Sequence, residues 1–325
     1  MKVVLADGTG VREFEFIEWI RRQSRFDPAV VPLGPGDDMA AVTCGGEQVL
    51  VTVDQALEGV HFILAEHGAE AVGAKAMNRN LSDVAAMAAL PVAAVAAVAL
   101  PKGFARKDAE GVYLGLRAAG DAFGCPLVGG DVGAWNGKLA ISVTVLARPA
   151  GLRTILRNGA KIGDAICLTG QLGGAWRSRR HLSFVPRVKE ARQLAARYNL
   201  HAMIDISDGL AGDLAHICRD SAVGAEVLAS AIPIHPDVGN GKEQTRGDNN
   251  LSPARRMVMS ALSDGEDYEL LFTLPDDQAG DLIHTQPLPI PVTRIGMVIE
   301  AKELVLVNED GKREPLPGAA WQHAT

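Results

Sequence analysis

Seven aspartates lie in short segments rich in Gly, Ser or Asn that border apolar runs. Asp37 and Asp38 close Gly34-Pro35-Gly36-Asp37-Asp38, and Asp54 ends a β-type run. Asp83 follows Asn80-Leu81-Ser82, and Asp131 follows Gly129-Gly130. Asp205 and Asp208 frame Asp205-Ile206-Ser207-Asp208-Gly209. Short polar turns after apolar runs are where an α/β fold places its chemistry. Carboxylates that converge repel one another: two unit charges about 5 Å apart cost roughly 3 kcal/mol at an effective dielectric near 20. Such a set is tolerable only when protons or cations neutralise it. Several carboxylates without a matching Cys/His set favour a hard, oxygen-loving cation, and Mg²⁺ is the usual one beside phosphates. Taken singly, each aspartate could equally cap a helix or hold a turn.

The chain around them has 325 residues, 47% hydrophobic and 22% charged, an ordinary globular composition long enough for two domains. A net charge of −7 disfavours nonspecific binding to nucleic acid or anionic membranes. It leaves a phosphate ligand open, because a metal can supply local positive charge. Aromatics are only 5%, too few for a base-stacking platform. The four cysteines, Cys44, Cys125, Cys167 and Cys218, form no C-x-x-C pair and have apolar neighbours. They read as buried free thiols in a reducing cytoplasm. No signal peptide is expected, and the apolar stretch 84–100, interrupted by Pro91, is a poor membrane span.

The elements that must position the aspartates follow from periodicity. Helical spacing covers 14–22, 70–89, 107–123, 187–198 and 210–219. Strands are expected at 40–43 and 48–53, joined by Gly45-Gly46, and at 92–100, 139–147, 165–169, 203–206, 268–273, 294–299 and 304–307. Leu127-Val128 is expected to lead into a Gly129-Gly130 turn, and 239–252 to form a mobile loop. The character of the chain changes near Pro149-Ala150-Gly151. The expected division is therefore 1–149 and 150–325. No Walker loop, dinucleotide fingerprint or G-x-S-x-G elbow is present.

Eight segments in order resemble the thiamine-monophosphate kinase family of the aminoimidazole-ribonucleotide-synthetase-like superfamily. They are GPGDDMAAV (34–42), VTVDQALEGVHF (51–62), NRNLSDVAAMAALP (78–91) and GGDVG (129–133). RNGAKIGD (157–164), DISDGLAGDLAHI (205–217), LSDGEDYELLFT (262–273) and IGMVIE (295–300) complete them. The resemblance implies a two-domain α/β (α+β) protein whose N-terminal sheet, in an ATP- and metal-binding dimerisation domain, forms a barrel across a homodimer. It implies cytoplasmic, Mg²⁺- and ATP-dependent phosphorylation of thiamine monophosphate to thiamine diphosphate. The acceptor is already a phosphate, so no general base is required and none is expected.

By the same resemblance Asp37, Thr52, Asp54, Asp83, Asp131, Asp205 and Asp208 would ligate metal, with Asp38 a secondary ligand. Gly130, Asp131, Arg157 and Ser207 would contact ATP. His61, Glu266 and Trp321 would face the thiamine phosphate. The chain departs from the family pattern at Val53, where a hydroxyl residue is usual, and at Gln55-Ala56, Val132 and Asp264. It also carries Arg79 where an apolar residue is usual. Two alternatives stay open. One is a related ATP-dependent enzyme acting on another small phosphorylated acceptor. The other is a catalytically weak nucleotide-binding dimer, motivated by Val53. Selenophosphate synthetase and hydrogenase-maturation relatives are disfavoured, because they would want reactive cysteines near one terminus or the other.

Overall fold

A computed structural model describes residues 13–238 and 252–317. Trp321 and positions 239–251 of the expected loop lie outside the described residues.

The first half builds α1 (Glu13–Gln23), α2 (Leu64–His67), α3 (Ala69–Ala86) and α4 (Arg106–Asp121). Its strands are β1 (Ala40–Cys44), β2 (Glu47–Leu57), β3 (Leu90–Pro101), β4 (Leu127–Trp135) and β5 (Ala140–Arg148). Gly45 and Gly46, at φ of +59° and +86°, make the two-residue hairpin between β1 and β2. The strand order is β1-β2-β5-β3-β4, antiparallel except for the parallel β3–β4 pair. Side chains alternate across this sheet. Leu50, Thr52, Ala94, Ala96, Val143 and Val145 are buried on the face that carries α3 and α4. The opposite face leaves Val53 59%, Val95 42% and Leu146 42% exposed, an apolar surface without a cover in one chain.

Helix α3 is buried on most sides, by α4, by β2 and β5, and by the segments Val188–Arg197 and Ala202–Asp205 of the second half. Its contact with α4 is close enough to require glycine. A Cβ at Gly73 would lie 2.1 Å from the carbonyl oxygen of Val112, and one at Gly115 would lie 1.9 Å from that of Glu70. The helix stops at Ala86 rather than at the expected Ala89. Ala88 turns left-handed at φ +53°, and the Ala89 N–H closes the end on the Val84 carbonyl at 3.0 Å.

The second half contains β6 (Ala165–Thr169), β7 (Ala202–Asp205), β8 (Gly224–Leu228), β9 (Leu270–Leu274), β10 (Val292–Ile299), β11 (Leu304–Val307) and β12 (Arg313–Pro315). Its helices are α5 (Ala175–Ser178), α6 (Val188–Arg197), α7 (Leu210–Ser221), α8 (Pro253–Ser263) and α9 (Asp276–Thr285). The order is β12-β11-β8-β10-β6-β9-β7, with only β8–β11 parallel. β6, β7 and β9 are buried at every residue, and their sequences are accordingly mostly apolar, with Thr169, Asp205 and Thr273 the polar exceptions. One face packs on α7 and α8 through Leu214, Ile217 and Leu262. The other packs on α6 and α9 through Leu194 and Leu282. Ala85 and Ala88, at the end of α3, belong to this latter core and join the two halves.

The expected mixed α/β fold is therefore present, with three corrections. Gly129-Gly130 is no turn: β4 runs straight through it as an exposed edge strand, paired with β3 from Leu127 to Trp135. Neighbouring glycines gave a turn signal, but a parallel partner supplies the ladder that holds them extended. Cys44 is exposed at the end of β1, whereas Cys125, Cys167 and Cys218 are buried. Helices α8 and α9 and strand β8 had no counterpart among the expected elements. No helix among the described residues is long and apolar enough to cross a membrane.

Candidate active site

The carboxylates meet where the C-terminal half of α3 crosses between the two sheets. Thr52 and Asp54 alternate onto the α3 side of β2. The Thr52 hydroxyl donates to Asp83 at 2.5 Å. Asn80 accepts the Asp54 backbone N–H at 3.1 Å and donates to the Ala76 carbonyl at 3.1 Å, pinning strand to helix. From the other half, Asp205 ends β7, and Ser82 donates to it at 2.6 Å. The turn before β1 contributes Asp37 and Asp38. Asp37 accepts the Asp38 N–H at 3.0 Å and the Arg157 N–H at 3.1 Å. The Arg157 guanidinium grips Asp38 through both Nε, at 3.0 Å, and Nη2. Oxygens of Asp38, Asp83 and Asp205 all lie within 4.8 Å of one another. Asp38, secondary in the sequence reading, is thus central, and Asp37 stands behind it.

Burial and mutual repulsion govern the protonation of this group. Burial, then the neighbouring Asp38, pushes Asp37 up to about 7. Burial, then Asp38, pushes Asp205 up to about 7, with the Ser82 hydrogen bond and Arg157 opposing. Asp83 rises well above the carboxylate range through burial and the charges of Asp54, Asp205 and Asp38. Asp38 is raised by burial against the pull of Arg157. Five carboxylates here face two guanidinium groups, those of Arg157 and Arg79. Asp38 Oδ2 is buried with no hydrogen-bond partner among the described residues. An all-oxygen donor set, an excess of negative charge and an orphaned buried oxygen together fit a hard divalent cation.

One expected metal ligand, Asp131, lies elsewhere, and Asp208 is not among the three closest carboxylates. Asp131 is in register with Ala97, Ala97 with Ser142, and Ser142 with Gln55. It is therefore three strands from β2, roughly 14 Å away, on the face opposite the carboxylates. Gly130 and Asp131 instead line a cavity of about 410 Å³ between β3, β4 and α4, with Tyr113 and Leu116 on its helical wall. Asp208 lies in the turn after β7, where Asp213 accepts its N–H and that of Gly209, both at 3.2 Å. Ser207 accepts the Glu266 N–H at 2.7 Å, tying this turn to the loop before β9. Gly265 permits the stacking, since a Cβ there would lie 2.7 Å from the Ser207 carbonyl oxygen.

His61 and Glu266, read as substrate residues, are brought together by a lysine that sequence reading missed. Lys75 is fully buried. Its ammonium donates to the His61 carbonyl at 2.6 Å and to His181 Nδ1 at 2.7 Å, and it pairs with Glu266 at 2.6 Å. His61 Nδ1 accepts the Leu57 N–H at 3.0 Å. Burial lowers Lys75 to about 8, with Glu266 opposing. Burial, then the Lys75 charge, lowers His181 to about 3, so the neutral ring can accept from the ammonium. Trp176 stacks on His181 with centroids 4.4 Å apart. Glu266 adopts φ +61° and Tyr268 φ +52°, strain of the kind that gathers at functional sites. The available signal was a lysine flanked by the apolar Val72, Ala76 and Met77 on a helical run.

Residues 36–148 match the AIR synthase related protein N-terminal domain, and residues 177–307 match the corresponding C-terminal domain. A thiamine-monophosphate kinase from Rhodopirellula baltica is 37% identical over 88% of this chain and 89% of its own length. The chain belongs to the thiamine-monophosphate kinase family. The Bacillus subtilis thiamine-monophosphate kinase is 30% identical over 96% of this chain and 99% of its own. A solved structure described as AaThiL complexed with AMPPCP and TMP superposes with a TM-score of 0.79 at 29% identity, over 96% of this chain and 97% of that one. The thiamine-monophosphate kinase resemblance thus spans both sheets and both sources of carboxylate.

Proposed function

We propose that this chain transfers the terminal phosphoryl group of ATP to thiamine monophosphate, forming thiamine diphosphate and ADP. The observation that carries the reading is the meeting of Asp38, Asp83 and Asp205, from three separate segments, inside a chain of this family. A phosphate oxygen of the acceptor attacks the γ-phosphorus. One P–O bond forms and the bond to the ADP oxygen breaks. The acceptor oxygen is already ionised at neutral pH, so no side chain need remove a proton. Bound Mg²⁺ supplies neutralisation of the crowded phosphate oxygens.

Asp38, Asp83 and Asp205 would hold the metal, with Asp37, Thr52 and Asp54 beside them and Asp208 at the facing turn. Arg157 and Ser207 would approach the ATP phosphates. The cavity beside Gly130 and Asp131 would take the nucleoside, with Tyr113 at its wall. His61, Glu266 and Trp321 would position thiamine monophosphate. We place the domain division at 149/150 and the protein in the cytoplasm. A second copy would cover the exposed sheet face and the β4 edge, where Val128 and Val132 are 65% and 68% exposed.

Val53 belongs to that outer face, so its missing hydroxyl is not beside the α3-side carboxylates. The structural motive for a catalytically weak binder therefore falls away. Val53→Thr should leave kcat within about twofold. Val53→Glu should weaken self-association by about tenfold or more, read by light scattering across a dilution series. A tenfold gain in kcat for the threonine variant would contradict this placement.

The direct test is phosphorus NMR of ATP and Mg²⁺ with thiamine monophosphate or thiamine as acceptor. Equal amounts of thiamine diphosphate and ADP should form with the monophosphate and none with thiamine. ATP turnover with another small phosphorylated acceptor, and none with thiamine monophosphate, would overturn the reading.

A further inference from the structure

Arg79 follows Lys75 by four residues on α3, so the two cations share one face. Its Nε donates to Asp54 Oδ2 at 3.1 Å, and its Nη1 lies 3.5 Å from Glu266 Oε1. The side chain is 12% exposed. Burial works against the cation, yet Tyr268, Asp54 and Glu266 hold its pKa well above the ordinary arginine value. The guanidinium is the buried member of this group, since Asp54 is 34% and Glu266 18% exposed, and removing its partners would leave it the costly charge.

The pair has a consequence for the neighbouring carboxylates. Asp54 has one oxygen engaged by the guanidinium. The oxygens that lie within 4.8 Å of one another are those of Asp38, Asp83 and Asp205, without Asp54. We infer that Arg79 is an internal cation that competes with a divalent ion for Asp54. It thereby sets how tightly the carboxylate cluster loads metal. An ion that captures Asp54 leaves Arg79 with Glu266 as its remaining carboxylate partner, on the substrate side of the site. The inference rests on the proposal that the cluster holds divalent metal.

The test is Mn²⁺ binding to the full-length protein without nucleotide, followed by the paramagnetic signal of free Mn²⁺. Removing a unit positive charge a few ångströms from the ion should tighten binding by about tenfold or more in Arg79→Leu, or add one ion. Arg79→Lys, which keeps the charge, should stay near the parent. Asp54→Asn alone should change affinity by less than Arg79→Leu does, and in the Arg79→Leu background it should cancel the gain. If the leucine variant fails to fold, Arg79→Gln carries the same expectation with polar contacts kept. Equal affinity and stoichiometry in parent and charge-removed variants would overturn the competition alone. So would a gain that survives Asp54→Asn. Absence of Mn²⁺ binding in every protein would overturn the metal reading of the cluster and the competition with it.

Discussion

Asp205→Asn should lower thiamine diphosphate formation by about 10³-fold and, at alkaline pH, make the metal-free protein more stable. Both effects come from one group. The Asp205 carboxylate is 4% exposed, faces Asp38 and is held by Ser82 from the other half. Its loss removes a proposed ligand of the ion that shields the phosphates. The stability effect follows from its pKa, raised from 3.8 to about 7 in the fold. Between those values the unfolded chain is ionised while the folded chain holds the proton. The unfolded state therefore binds fewer protons, and stability falls as pH rises through that window. The accumulated cost is fully present above about pH 7, on the order of 4 kcal/mol for a shift of this size, and absent below about pH 4. Asparagine keeps an acceptor for Ser82 without the charge. Urea denaturation in a chelator at pH 8 should show the gain, and at pH 4 little of it. Mg²⁺ should flatten the pH dependence of the parent. A variant that keeps activity, or that is equally destabilised at both pH values, would refute the account.

Lys75→Met should cost about 3 kcal/mol of stability and raise the KM for thiamine monophosphate far more than it lowers kcat. Among the described residues the ammonium is the one cation that touches His61, His181 and Glu266 together. Methionine fills most of the volume but leaves the His61 carbonyl without its 2.6 Å donor. Glu266 keeps Arg79 and the Tyr268 hydroxyl, at 3.5 and 3.1 Å, as weaker partners. A buried acceptor left unmet is expensive. The strained Glu266 loop then loses its tightest restraint, which acts on substrate placement rather than on the phosphate transfer itself. The pH signature is distinct. Lys75 falls from 10.5 to about 8 in the fold, so between those values the unfolded chain holds the extra proton. Parent stability gains from this group as pH rises from about 8 to 10.5, and the methionine variant should lack that gain. An unchanged KM, or an unaltered alkaline stability profile, would count against Lys75 as the residue that positions Glu266.

Strands with clean alternation or continuous apolar runs, such as β2, β5 and β6, were legible because burial alone dictates them. β4 was not, because an exposed edge strand carrying Gly129-Gly130 has no buried face to leave a pattern. The aspartates were legible as chemistry, but their grouping was not. Asp37 and Asp38 are adjacent, and only the Arg157 loop, 119 residues on, decides which faces Asp83 and Asp205. Val53 sat in the right motif but on the wrong face, since one residue along a strand reverses direction. Lys75 and His181 are 106 positions apart, and their pairing depends on how the two halves dock. Arg79 was visible as a departure, yet its partners Asp54 and Glu266 are brought to it by tertiary structure.

Helix α3 is buried along most of its length. It presses on α4 at Gly73, and Ala85, with Ala88 just beyond the helix end, joins a core otherwise built around the second sheet. An ordinary surface helix can wait, half wetted, for its neighbours; this one would leave a lysine ammonium, a guanidinium and a row of methyl groups without a suitable medium on one side or the other. The two halves are therefore poor candidates for separate lives. A gene cut between the sheets would strand an orphaned helix in the first fragment and an open hydrophobic socket in the second. The eighteen residues that join the two halves also arrange the chemistry between them.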